Sequence, residues 1–343
     1  MISAVTHLKN LHSAFVRVEA SHGMAGVDGV TIGRFKWNLS ANLRLLAQEL
    51  DDGSYRPLPL LRLLVAKWDG SLRALSVPTV RDRVGQAAVL NIIEPLFEAQ
   101  FARSADADFV LALARTIVEG KLRNGLELVR QFRHNHPETP LEEEIQSVSA
   151  ACDQVTSQPD LPSLLGLEGN AARIYFSAFS KMIRHSFSFT GRRRRPSPDP
   201  VNALLSFGYT LVYNEIASLP DGLGLEPYLG FYHQPHYGHA TLASDLLEEF
   251  RSPLVDRLTL HLVNNRIFRQ EDFFLHEPTG GMHLRDEPRK HYFVEYEQFI
   301  AVPAAGADDC SEVTFRRLFR RQAERLKETV MSGAPYQPFR FSW

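Results

Sequence analysis

The chain has 343 residues, of which 44% are hydrophobic and 23% are charged, a composition typical of a globular protein large enough for two domains. Its net charge of −2 excludes nucleic-acid binding through an evenly basic surface, so any such binding needs a local basic patch. No apolar run approaches the roughly 20 residues that span a bilayer. The two cysteines, Cys152 and Cys310, lack metal-ligand spacing, so we expect a reduced, cytoplasmic protein without a membrane contact.

The first hundred residues have the pattern of a small α/β segment. Leucines at helical spacing predict a helix over 38–50. Apolar runs at 60–66 and 72–77 flank Asp69-Gly70, a dipeptide typical of a hairpin turn. An amphipathic pattern then predicts a helix over 80–94, which we expect to end before a proline.

The remainder of the chain has mostly helical patterns. Glu168 is expected at the start of one of these helices, after Gly166. Weak strand signals surround Gly280-Gly281 within 273–302. We predict helices over 109–132, 141–155, from 168 onward, over 201–219, 241–251, 253–268 and 312–330, and a linker over 303–309.

A basic stretch lies between these helices. Residues 181–195 contain six Lys or Arg and no acid, with Phe187 and Phe189 between them. Arginine forks and aromatic rings together are typical of surfaces that bind DNA, although a solvated loop or a site for an acidic partner would have the same composition. The residues predicted to contact DNA are Lys181, Arg184, Arg192, Arg193, Arg194, Arg195 and Arg251.

Three separated segments offer candidate metal ligands. They contain Glu168, His233, and the group Asp245, Glu248 and Glu249. Carboxylates with one imidazole suit Mg²⁺ or Mn²⁺. Taken singly, each residue has an ordinary explanation, because acids cap helices or lie in solvent and most loop histidines have no catalytic role. Spacing alone therefore makes the metal site a hypothesis.

These segments resemble a known family. The run 114–124, the Gly-x-Glu-Gly-x-Ala-Ala-Arg-x-Tyr-Phe pattern at 166–176, the run 193–209, Gly-Phe-x-His at 230–233 and Asp-Leu-Leu-Glu-Glu-Phe-Arg at 245–251 occur in order. Collinear matches over this length are highly specific. Residues 104 to about 300 resemble the α-helical domain of the CRISPR-associated endonuclease and integrase, the Cas-one family.

The resemblance implies a specific chemistry. The ligands of Mg²⁺ or Mn²⁺ would be Glu168, His233 and Glu248, with Asp245 as a supporting acid or additional ligand. The family inserts short foreign DNA, the spacers of antiviral defence, into a CRISPR array. It works as a homodimer with a small Cas-two partner. The family's usual N-terminal β-rich domain, which contributes to dimerisation, has no counterpart in this chain, which leaves homodimer formation open.

The N-terminal part resembles a different family. Gly26-Val27-Asp28-Gly29, Tyr55-Arg56-Pro57 and the runs 67–75, 77–86 and 94–101 are similar to the fingers of bacterial reverse transcriptases. No Tyr-x-Asp-Asp motif follows residue 101, so we expect no polymerase activity. An internal deletion that joined a reverse transcriptase to a Cas-one protein would explain why the segment with the Tyr-x-Asp-Asp motif and the β-rich domain are both missing.

The predicted fold is mostly α: a helical Cas-one-type catalytic domain preceded by a small α/β reverse-transcriptase fingers fragment. The domains would be 1–101 (fingers), 104–302 (catalytic) and 303–343 (linker and basic C-terminal helix). Two functions compete, a metal-dependent DNA endonuclease and spacer integrase, and a non-enzymatic DNA-binding remnant of a fusion.

Overall fold

The computed structural model describes residues 2–66, 72–185, 187–193, 196–303 and 313–342. As predicted, the fold is mostly helical. It divides into two compact units, Met1–Glu98 and Ala99–Trp343. Among the described residues, none of the helices has the length and apolar character needed to cross a membrane. The predicted hairpin turn and most of the predicted linker lie outside the described residues, and the assignment of domains to different parent families stays a prediction.

The first unit is a group of helices with one hairpin. Its core includes Phe15 and Phe35, whose rings stack at 5.8 Å. The hairpin is antiparallel and pairs Leu61 with Val77 at its open end, as the sequence predicts. The elements are α1 (Ile2–Val5), α2 (Leu8–Ala20), α3 (Ile32–Trp37), α4 (Leu39–Asp51), β1 (Leu61–Ala66), β2 (Leu72–Val77) and the start of α5 (Val80–Ala105).

The second unit is larger and almost entirely helical. A second antiparallel hairpin pairs Phe273 with Leu284. A π-helical segment, Arg251–Asp256, connects two of its helices. The other elements are α6 (Ala107–Asn135), α7 (Glu142–Gln154), α8 (Leu161–Met182), α9 (Pro200–Leu223), α10 (Thr241–Leu247), α11 (Arg257–Asn264), β3 (Phe273–His276), β4 (Gly281–Leu284), α12 (Asp286–Ala301) and α13 (Phe315–Ser332).

Aspartate caps set the beginnings of the three longest helices of this unit. Asp106 accepts hydrogen bonds from the amides of residues 108 and 109 at the start of α6. Asp160 and Asp199 cap α8 and α9 in the same way, each followed by a proline in the first turn. Such caps satisfy amides that have no partner within the helix. They therefore fix the positions of Lys121 on α6 and Glu168 on α8.

The central helix of the unit is α9, as its apolar sequence predicts. Leu204, Leu205, Val212 and Ile216 are completely buried. Gly208 is buried as well, and a Cβ there would lie 2.7 Å from Val255 Cγ1. Only glycine therefore lets the π-helical segment approach this helix so closely.

Four sequence predictions differ from the structure. Helix α8 begins at Leu161, so Glu168 lies two turns inside it and not at its start. Helix α5 continues past Pro95 to Ala105. The predicted helices over 241–251 and 253–268 are instead α10, the π-helical segment and α11, and α12 occupies a region for which strands were predicted.

Candidate metal centre

Two of the predicted ligands meet at one ammonium group. Glu168 comes from α8, and Glu248 follows the last residue of α10. Lys121 Nζ lies 2.5 Å from Glu168 Oε1 and 2.6 Å from Glu248 Oε2. Glu248 Oε2 is buried and accepts no hydrogen bond of standard geometry from the described residues. A positive charge therefore occupies the space between these two carboxylates.

His233, the third predicted ligand, lies beside the other carboxylate oxygen of Glu248. Its Nε2 is 3.8 Å from Glu248 Oε1, and its Nδ1 is 2.8 Å from Asp245 Oδ1. Burial alone would lower the pKa of the His233 imidazole, but the hydrogen bond to Asp245 and the charge of Glu248 raise it. When Nδ1–H donates to Asp245, the Nε2 lone pair faces the centre of the site.

Asp245 builds the loop that carries the histidine. It is completely buried. Its Oδ1 also accepts a hydrogen bond from the His233 amide, at 2.9 Å, and its Oδ2 accepts hydrogen bonds from the amides of Phe231 and Tyr232, at 2.6 and 3.1 Å. Both oxygens are thus used to fix the loop at residues 231–233 on α10.

Arg251 neutralises Glu248 Oε1, the oxygen that also lies near His233. Its Nη1 donates to Glu248 Oε1 at 3.0 Å, and its guanidinium lies 4.2 Å from the centre of the Tyr209 ring. Burial alone would raise the pKa of the Glu248 carboxyl, but the charges of Arg251, Lys121 and His233 hold this pKa well below its usual value. Glu248 is therefore ionised at neutral pH.

The end of the π-helical segment carries a buried acid that the sequence analysis did not identify. Asp256 is 1% exposed. It accepts hydrogen bonds from the hydroxyls of Tyr175, at 2.6 Å, and Tyr209. Burial raises the pKa of Asp256, although both hydrogen bonds oppose this. π-Helical turns are frequent at functional sites, and here the turn joins Glu248 and Arg251 to the Tyr209 ring.

The C-terminal segment, residues 336–341, contacts Glu249, the residue that follows Glu248. Glu249 is completely buried and accepts hydrogen bonds from Tyr336, from Gln322 Nε2 at 2.7 Å and from the Phe339 amide at 2.5 Å. Burial raises the pKa of Glu249 to about 7. Although Glu249 was one of the candidate acids, both of its carboxyl oxygens are used in this structural contact.

A cavity of about 620 Å³ opens beside Lys121. Its charged lining residues are Lys121, Glu168, Arg173, Arg192, Arg193, Arg251 and Asp256. A phosphate in this cavity would meet four arginines beside the Glu168 and Asp256 carboxylates, and this excess of positive charge suits the binding of a phosphodiester.

The residues predicted to contact DNA fall into three groups. Arg192, Arg193 and Arg251 line the cavity. Lys181 pairs with Glu144 at 2.6 Å, and Arg184 lies beside His136 on the surface. Arg194 and Arg195 lie outside the described residues. The DNA contacts themselves stay a prediction for all seven.

Lys121, like Asp256 and Arg173, is a residue of the site that was not among the sequence-based candidates. Its signal was present, because it belongs to the run 114–124 that carries the resemblance, but a lysine on an amphipathic helix is usually solvated. Its side chain is only 17% exposed. Among the described residues no group of three or more His, Cys, Asp or Glu side chains has the arrangement of a metal site, and the Lys121 ammonium lies between Glu168 and Glu248.

Comparison with known proteins finds relatives of this chain in one family. Residues 91–298 match the family model described as CRISPR associated protein Cas1. The chain is 39% identical over 210 residues to CRISPR-associated endonuclease Cas1 1 of Moorella thermoacetica, covering 59% of this chain and 61% of that protein. It is 36% identical over 250 residues to CRISPR-associated endonuclease Cas1 3 of Thermus thermophilus, covering 71% of each.

A solved structure shares this fold over most of the chain. It is a partial Cas6-RT-Cas1–Cas2 complex, with a TM-score of 0.65 and 25% identity, covering 82% of this chain and 81% of that chain. The chain spans about six-tenths of the length of the Moorella relative. The family match and the relatives together show that the chain belongs to the Cas1 (Cas-one) family of CRISPR-associated proteins.

Proposed function

We propose that this chain is a metal-dependent DNA endonuclease and spacer integrase that acts in the cytoplasm on a CRISPR array. The observation that carries the proposal is that Glu168 and Glu248 contact the same Lys121 ammonium, with His233 near Glu248, beside a cavity lined in part by arginines. The relatives named CRISPR-associated endonuclease support the same activity.

The donor set fits Mg²⁺ or Mn²⁺. Glu168 and Glu248 supply hard carboxylate oxygens, and His233 supplies Nε2. The Lys121 ammonium that both carboxylates contact supports the presence of a cation-binding position between them. A bound ion would polarise a non-bridging phosphate oxygen and stabilise the charge of the transition state.

The chain's own residues orient the DNA and the ligands. Arg173 and Arg193 at the cavity wall would hold the phosphodiester on either side of the reacting phosphate. Asp245 would act as a positioning residue, because both of its oxygens fix the loop of His233. This role differs from the supporting acid or additional ligand that the sequence suggested.

One site can serve two reactions. With water as the nucleophile the phosphodiester is hydrolysed. With a DNA 3′-hydroxyl as the nucleophile, a new phosphodiester bond forms while the bond to the former 3′ oxygen breaks and releases that strand end as a free 3′-hydroxyl. Both are in-line phosphoryl transfers with the same charge distribution in the transition state. The two reactions therefore need the same ligands and differ only in what occupies the nucleophile position.

The partners proposed are DNA, a Cas-two protein and a second copy of the chain. The likeness to the Cas6-RT-Cas1–Cas2 complex supports the Cas-two partner. This likeness covers 82% of the chain, so it extends beyond residues 99–343 into the first unit. This coverage supports the proposal that 1–101 derives from a reverse transcriptase, 104–302 being the catalytic domain and 303–343 a C-terminal extension. Light scattering tests whether the chain forms a dimer.

The test is a pair of assays with one set of variants. A labelled duplex with free 3′-hydroxyls is incubated with a supercoiled plasmid that carries a CRISPR array, with Mn²⁺, Mg²⁺ or a chelator. Glu168→Gln and Glu248→Gln should abolish both cleavage and strand joining, and a 3′-phosphate should block joining alone. Glu324→Gln, on an exposed part of α13, is the matched control. Absence of both reactions in the parent, with DNA binding retained, would favour the non-enzymatic remnant.

A further inference from the structure

Lys121 contacts two candidate ligands at once. Its ammonium lies 2.5 Å from Glu168 and 2.6 Å from Glu248. We infer that Lys121 is the built-in cation of this site: it holds the two carboxylates together in the metal-free protein and leaves them when the metal ion binds. The inference rests on the proposed function, because it presupposes that Glu168 and Glu248 are metal ligands.

The surrounding charges require such a cation. Glu248 is 3% exposed and Glu168 15%. Arg251 compensates one oxygen of Glu248, but Oε2 faces the ammonium. Without Lys121 or a metal ion, two ionised carboxylates of low exposure would face each other, and their repulsion would separate the helices that carry them. The ammonium thus keeps the Glu168 carboxylate on α8 close to the Glu248 carboxylate at the end of α10.

The same charge opposes the metal ion. An ammonium between two carboxylates occupies the position of strongest negative potential, and a divalent ion entering there must displace it. Lysine suits this exchange because its charge is a point at the end of a flexible stem. The cavity provides the alternative position, since Lys121 lines it together with Arg173 and Arg193, and a DNA phosphate there would accept the displaced ammonium.

Lys121 should therefore stabilise the metal-free protein and weaken its affinity for the metal ion. Lys121→Met keeps the length of the side chain and removes its charge. The variant should unfold at a lower temperature than the parent in chelator, because the carboxylates lose their counter-ion. It should bind Mn²⁺ about tenfold more tightly or better, because no internal cation competes. A lysine that only packs against the helix would not increase metal affinity when it is removed.

The experiment measures Mn²⁺ binding directly, by titration with detection of free Mn²⁺ by electron paramagnetic resonance. The full chain is compared with Lys121→Met, Lys121→Arg and Lys290→Met. Lys121→Arg keeps the charge and should bind Mn²⁺ no more tightly than the parent. Lys290→Met removes a lysine from an exposed ion pair outside the site, with Glu287 at 2.6 Å, and should leave the dissociation constant unchanged.

The outcomes separate this inference from the proposed function. A decreased dissociation constant in Lys121→Met alone supports it. Equal or weaker binding in Lys121→Met, with Mn²⁺ binding of the parent abolished by Glu168→Gln, overturns the role of Lys121 and leaves the metal site intact. Mn²⁺ binding that is absent, or insensitive to Glu168→Gln, overturns both. If Lys121→Met is unfolded in chelator, its refolding on addition of Mn²⁺ supports the inference, and failure to refold contradicts it.

Discussion

Replacing Asn124 should destabilise the second unit and release the C-terminal segment. Asn124 is 1% exposed and uses its amide three times. Its Nδ2 donates to the carbonyl oxygens of Glu249, at 2.8 Å, and Phe339, at 2.9 Å, and its Oδ1 accepts from the Phe341 amide at 2.9 Å. This side chain therefore joins α6 to Glu249 and to Phe339 and Phe341 of the C-terminal segment.

The expected loss follows from these bonds. Each net hydrogen bond contributes about 1 kcal/mol, and a buried group left without a partner costs about 1–3 kcal/mol. Asn124→Ala should therefore lower the free energy of unfolding by about 3 kcal/mol or more. For a unit of this size, that corresponds to a fall in Tm of about 6–12 °C.

The assay is thermal unfolding followed by circular dichroism, with limited proteolysis to detect release of the C-terminal segment. Asn170→Ala, on an exposed turn of α8, is the control and should change the free energy of unfolding by about 0.5 kcal/mol at most. A loss below about 1 kcal/mol in Asn124→Ala, with the segment still protected, would refute the reasoning, because water would then replace the three bonds at no cost.

Three further outcomes are expected. Gly208→Ala should lower the free energy of unfolding by about 1–3 kcal/mol, measured in urea, because the new methyl group would meet Val255. Arg251→Met should remove the partner of Glu248 Oε1 and so leave a buried charge underpaired; we expect a loss of about 3 kcal/mol, checked by the same urea titration. Burial raises the pKa of the Cys152 thiol, so in a variant without the other cysteine, alkylation at neutral pH should be slow until urea unfolds the protein.

Each of these outcomes has a matched control. Gly222→Ala, near the end of the same helix where a Cβ would contact nothing within 4 Å, should not destabilise the unit. Arg320→Met removes an exposed ion pair and should cost about 1 kcal/mol at most. Rapid alkylation of native Cys152 would contradict its burial, and equal effects of the two glycine replacements would mean that the helices around Gly208 can separate without cost.

The long regular elements of the second unit were predictable from local patterns. Helices α6 and α9 show the apolar period, an aspartate cap and, for α9, a proline in the first turn. The start of α8 was not recognised, although Asp160 and Pro162 carry the same signals. The assignment of Glu168 to the start of a helix gave weight to the glycine before it and overlooked this cap.

Other features depended on contacts between distant residues. The π-helical segment has no sequence pattern of its own, and the close approach of Val255 to Gly208 accompanies it. Lys121 has the spacing of an ordinary helix surface, and its burial results from the two acids that face it. Asp256 was not a candidate, because the two tyrosines that bind it come from α8 and α9.

The sequence by itself determined the helical class, the hairpin over 61–77, the candidate ligands Glu168, His233 and Glu248, and the family resemblance, because these depend on residue type and order along the chain. Only the tertiary structure decided which oxygen faces which cation. It directed both oxygens of Asp245 to the His233 loop and turned Glu249 toward the C-terminal segment. It also brought Lys121 between the two acids. Electrostatic interactions depend on distance and burial, and neither can be obtained from spacing along the chain.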